Sequence, residues 1–172
     1  MLPRSTDQLL LPASPLFIAF TLAGAFLLNL LPLGRQPAMP DWLAVVLVFW
    51  SVHQPRRVGI GWAFGFGLLM DVHQGALLGQ HALAYALLGF TAIAMHRRLR
   101  WFGWAGQAAQ IVPLFVAAHG VQLLVRLVAG DGFPGWSLLL APLFEAALWP
   151  LASLLLLAPQ RRAPDPDENR PL

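Results

Sequence analysis

The stretch that decides the fold is residues 58–85, V-G-I-G-W-A-F-G-F-G-L-L-M-D-V-H-Q-G-A-L-L-G-Q-H-A-L-A-Y. It holds two apolar runs separated by Asp71 and by the turn-forming Gly75 and Gly79. Glycines recur through the first run. Gly61 and Gly65 form a G-x-x-x-G, and Gly67 adds a further small surface. Small residues let helix backbones approach closely where lipid, not water, is the solvent. A lone G-x-x-x-G is common by chance, but here it marks this helix as the expected central, tightly packed element.

Working outward, the same alternation of apolar runs and short polar breaks fills the chain. Helices are expected over residues 15–33, 41–53, 58–71, 76–95, 107–129 and 136–157, within one transmembrane domain over 1–160. A flexible tail rich in Pro and Asp is expected over 161–172. The composition agrees. Of 172 residues, 58% are hydrophobic and 11% charged, against about 25% charged in a soluble domain. A chain this poor in charge cannot cover a water-facing surface, so the expected class is an all-α integral membrane protein with six transmembrane helices. The second and third runs are short for the roughly 30 Å of a bilayer's hydrocarbon at about 1.5 Å per residue. The first run is long and lacks a small-x-small cleavage site after it, so it reads as a retained helix rather than a signal peptide.

Zero Cys excludes a disulfide framework, thiolate metal sites and a cysteine nucleophile. No G-x-S-x-G, H-E-x-x-H or Walker pattern occurs. Asp71, His73 and His81 are suitable metal ligands by type but lack the i, i+4 spacing of a helical zinc site. The arginines cluster in loops: Arg56 and Arg57, then Arg97, Arg98 and Arg100, then Arg161 and Arg162. With Arg4 and Arg170 they fall on one side of a six-span topology, and only Arg35 lies in an opposite loop. The positive-inside rule then puts both termini in the cytoplasm. Trp42 and Trp136 fall near the outer interface, Trp101 and Trp104 near the inner one. Anionic lipid headgroups are the simplest partners for the arginines, with a cytoplasmic protein the sharper alternative. Small clusters between apolar runs do not make a nucleic-acid-binding face.

Ionisable groups inside a membrane are costly and need a partner or a task. His119, Gln122 and Arg126 share one helical face at i, i+3, i+7. Glu145 lies at matching depth on the next helix and is expected to meet His119, directly or through Gln122. Asp71 and Arg126 are expected to pair near the outer surface.

The 58–85 stretch also resembles the MreD family of rod shape-determining membrane proteins. The resemblance rests on Gly67, Leu68, Leu69 and Asp71, then Gly75, then Leu78, Gly79, Ala82 and Leu83. Pro40-Asp41, Pro55-Arg56-Arg57-Val58-Gly59 and the Arg100 cluster followed by Gln107 and Gln110 add to it, so that it covers roughly residues 37–110. It implies a non-enzymatic inner-membrane scaffold without cofactor that binds MreC. Its wider company would be MreB, RodA and a class B penicillin-binding transpeptidase. It also implies a fold similar to the six-helix substrate-binding subunits of energy-coupling-factor vitamin transporters. That likeness supplies an alternative function, binding of a small molecule or lipid intermediate in an outward pocket lined by His73, His81, Arg126 and Glu145.

Overall fold

The computed structural model describes residues 13–31 and 39–160. Six α-helices follow in order: α1 (Pro15–Leu30), α2 (Trp42–His53), α3 (Ile60–Gln74), α4 (Gln80–Leu99), α5 (Trp104–Val128) and α6 (Ala141–Leu157). Short 3-10 turns over Trp136–Leu140 and Ala158–Gln160 extend α6 at both ends. No strand occurs among the described residues.

The apolar runs set the helices, while their ends are set by capping chemistry. The Asp41 side chain accepts from Ala44 N and caps α2. The helix α3 stops at Gly75, which takes the left-handed conformation (φ 60°), and α4 starts after Gly79 (φ 106°). A residue with a Cβ rarely adopts these angles, which accounts for glycine at both turns. The helix α4 runs on through His96, Arg97 and Arg98 because charges at a C-terminal turn favour a helix. It therefore occupies 80–99 rather than 76–95.

Six transmembrane helices are not what the structure bears out. Among the described residues, two helices are long and apolar enough to cross a membrane, Trp104–Val128 and Trp136–Gln160, each of 25 residues. The physical reason is length and charge. At about 1.5 Å per residue, α2 reaches only about 18 Å and α3 about 22 Å, against roughly 30 Å of hydrocarbon. The helix α4 is longer, but its last turn carries His96, Arg97 and Arg98. The six-span likeness to vitamin-transporter subunits is corrected with it.

The central element also differs from expectation. Nine residues of α2, from Leu43 to Val52, are buried, with Trp50, Phe49 and Val48 fully enclosed. In α3 only Ala63, Gly67, Met70 and Asp71 are buried. The core centres on α2, packed against α1, α4 and α6, while α3 packs on α4 and gives the core only Ala63 and Met70. Apolarity all round distinguishes the two: α2 has no glycine gap, so each of its faces fills space against a neighbour. The outer surface carries large exposed apolar side chains on every helix except α2, among them Leu16, Trp62, Phe90, Val128 and Leu155. A water-soluble monomer rarely exposes so much. The chain is a membrane protein.

Candidate functional site

Asp41 joins most of the helices at one end of the bundle. Its Oδ1 accepts from Ala44 N at 3.0 Å and from Asn29 Nδ2 at 2.7 Å, and its Oδ2 accepts from the Tyr85 hydroxyl. Asn29 Oδ1 in turn accepts from Trp42 N. The Asp41 backbone N–H donates to Glu145 Oε1 at 3.0 Å, and His119 Nε2 lies 2.9 Å from the same oxygen. One buried network thus ties α1, α2, α4, α5 and α6 together. Glu145 is fully buried, and its Oε2 has no partner among the described residues. The structure therefore brings Glu145 and His119 into direct contact, whereas Gln122 stands apart from both.

Chain geometry explains the network. Polar residues in a low-dielectric interior must find each other, and Asp41 sits where a helix start leaves free N–H donors. In the sequence, Pro40-Asp41 marks the break before the second helix and forms part of the family resemblance, and neither assigns Asp41 its bonds to Asn29 and Tyr85. The usable signal was a helix-capping residue directly before an apolar run; Asn29 and Tyr85 gave none. The network also makes a graded prediction. Glu145→Gln keeps an acceptor for the Asp41 N–H and should lower stability by about 1 kcal/mol, whereas Glu145→Leu leaves donors stranded and should cost about 3 kcal/mol. Thermal melting of the purified variants in detergent reads the difference, and equal melting temperatures would remove the network from the account.

A second cluster closes the turn between α3 and α4. Asp71 is 1% exposed. Its Oδ2 accepts from Gly79 N at 2.8 Å, and its Oδ1 accepts from His81 N at 2.7 Å and lies 2.9 Å from His81 Nδ1. Asp71 does not pair with Arg126, because these donors already saturate it inside the turn. Arg126 lies instead 3.8 Å from Asp131 on the same chain end, both partly exposed. Gly75 supplies the turn, while Leu78 is 70% exposed and packs against nothing that would give it a site role. Among the described residues no group of three or more His, Asp or Glu could hold a metal.

The glycines of α3 divide by face. A Cβ on Gly67 would come within 2.4 Å of Ala82 Cα and 2.7 Å of the His81 carbonyl oxygen, so Gly67 is the close-contact residue between α3 and α4. Around Gly61 and Gly65 a Cβ would meet nothing within 4 Å. These two do not pack within the chain. With Trp62, Phe66 and Leu69 they line an outward groove of about 570 Å³.

The arginines Arg56, Arg57, Arg97, Arg98 and Arg100 are all exposed, at the end of the bundle opposite Asp41. Arg57 donates to the Ala13 carbonyl, which fixes the start of α1 at that end. Arg161 and Arg162 lie outside the described residues.

Comparison with known proteins gives one consistent result. The family described as rod shape-determining protein MreD matches residues 6–158. A curated relative, "Rod shape-determining protein MreD" of Haemophilus influenzae, is 34% identical over 141 residues, which cover 77% of this chain and 83% of the relative. No solved structure matches the chain.

Proposed function

This chain belongs to the MreD family, and from that premise we propose that it is a non-enzymatic scaffold of the cell-wall elongation complex that binds the membrane anchor of MreC. It resides in the bacterial inner membrane, and its termini lie in the cytoplasm with the arginine-bearing end of the bundle. MreB, RodA and a class B penicillin-binding transpeptidase belong to the same assembly.

The observation that carries this reading is the outward face of α3. Gly61, Gly65 and the aromatic rings of Trp62 and Phe66 form a groove that no described residue covers. Association of helices in lipid depends on close packing at small residues flanked by larger ones, and among the described residues Gly61 and Gly65 are the one glycine pair at i, i+4 within a single helix. The exposed arginines add attraction for anionic headgroups, about 1 kcal/mol for each side chain near the surface.

Gly65→Leu separates a partner-binding role from a folding role. A Cβ at this position meets nothing within 4 Å and the groove opens outward, so the variant should reach wild-type levels in the membrane. Co-purification of MreC should fall roughly tenfold or more, the loss expected when about 1.4 kcal/mol or more of contact is removed. Undiminished MreC recovery with Gly65→Leu would refute the proposed face. The pocket reading has an observation of its own, a polar cavity beside the Asp41 network.

A further inference from the structure

At the end of the bundle that carries Asp41, a cavity of about 690 Å³ opens between α1, the α3–α4 turn and the second half of α5. It falls within the range of about 300–1,000 Å³ typical of small-molecule sites. Its side chains differ from those of the outer surface of the helices. Gln74, Gln80 and Gln122 line it, and none of their carboxamides hydrogen-bonds to any described residue, while three imidazoles (His73, His81 and His119), Arg126 and the carboxylates of Asp41 and Asp131 share the polar wall. Elsewhere in the bundle, the Gln107 and Gln160 carboxamides are engaged with protein groups, while Gln110 Oε1 is buried without a partner among the described residues.

The chemistry of the wall selects the class of ligand. A carboxamide offers both an acceptor oxygen and two donor hydrogens, and a hydroxyl likewise gives and takes. Three uncommitted carboxamides converging on one space suit a ligand with many hydroxyls. An anion is poorly served: the guanidinium of Arg126 faces two carboxylates, Asp41 and Asp131, and two of the three lining imidazoles, His81 and His119, are held on Asp71 and Glu145. A cation fares no better. Asp41 is already occupied by Ala44 N, Asn29 and Tyr85, and Asp131 stands beside Arg126.

We propose that this cavity binds an uncharged, hydroxyl-rich group of the saccharide class, held by Gln74, Gln80 and Gln122. The group has two possible sources, a free saccharide or the sugar head of a glycolipid. This site is independent of the α3 groove, so either can fail without the other.

The test uses the full-length protein exchanged into a sugar-free detergent such as lauryldimethylamine oxide, because maltoside detergents would occupy the site. Maltose is titrated as the free probe. Diglucosyldiacylglycerol and plain diacylglycerol are compared by native mass spectrometry. Binding of maltose identifies a free-saccharide site, and retention of the glycolipid alone identifies a lipid headgroup site. In either case Gln122→Leu and Gln74→Leu should weaken binding roughly tenfold, the loss of a hydrogen bond or two. Leu155→Ala, exposed near the opposite end of α6, should change nothing. Both Gln variants should melt like the wild type, because neither side chain bonds within the described chain. The proposal is overturned if no sugar probe binds, if binding survives both Gln variants, or if inorganic phosphate and phosphatidylglycerol bind in place of the sugars.

Discussion

Gly67→Ala should nearly eliminate the folded protein from the membrane, although it adds a single methyl group. That methyl would sit 2.4 Å from Ala82 Cα, 2.6 Å from Ala82 N and 2.7 Å from the His81 carbonyl oxygen. All three are backbone atoms, so no side chain can rotate away and the helices must separate. The contact between α3 and α4 is the most extensive between any two helices of the chain, so strain there propagates along both. Overpacking of this kind costs about 3 kcal/mol, a large part of a typical stability of roughly 5–15 kcal/mol. The matched control is Gly65→Ala, two residues away on the same helix, whose methyl meets open space. Membrane levels and melting temperature should fall sharply for the first and hold for the second. Equal behaviour of the two would show that the α3–α4 contact is looser than described.

The second large effect is expected at Asp71. Removing its buried carboxylate with Asp71→Ala strands the backbone N–H groups of Gly79 and His81 and the buried His81 ring. Breaking a buried, hydrogen-bonded pair costs about 3–5 kcal/mol because the surviving partner stays buried and unpaired. Asp71→Asn should recover part of this loss, since its carbonyl oxygen still accepts from one backbone N–H while its amide meets the others as a competing donor. The expected order of membrane accumulation is wild type, then Asp71→Asn, then Asp71→Ala at the lowest level. An Asp71→Ala protein that melts within a degree or two of wild type would sink the clamp. The same turn accounts for the spacing of Asp71, Gly75 and Gly79: the carboxylate reaches forward eight residues only because both glycines take left-handed angles.

What could be read from the chain before its structure follows from which forces are local. Apolar runs and their breakers locate helices, because burial in lipid or core acts on segments, and every expected helix has an observed counterpart. Helix ends shifted where capping, not hydropathy, decides: Gly79 delays α4 by four residues, and His96 through Leu99 prolong it. The number of membrane-crossing helices was over-read. Apolar character alone does not distinguish a short helix enclosed by its neighbours, such as α2, from one that crosses lipid. Side-chain pairing was legible only where two groups had no other recourse. Glu145 and His119 meet, while Asp71 and Arg126 each found a nearer partner that linear depth could not reveal. The glycine pattern was visible but its direction was not. Only the packed geometry separates Gly67, which α4 covers, from Gly61 and Gly65, which no described residue covers.

Site-specific crosslinking tests whether the face of α3 left uncovered by the described residues receives the MreC anchor, as proposed. The chain contains no Cys, so single cysteines can be placed without background. Gly61→Cys, Gly65→Cys and Leu69→Cys, one turn apart along the groove, should each crosslink to MreC in native membranes. Leu16→Cys and Val128→Cys, exposed on α1 and α5, should not. Crosslinks confined to Leu16 or Val128, with none from the three α3 positions, would contradict it.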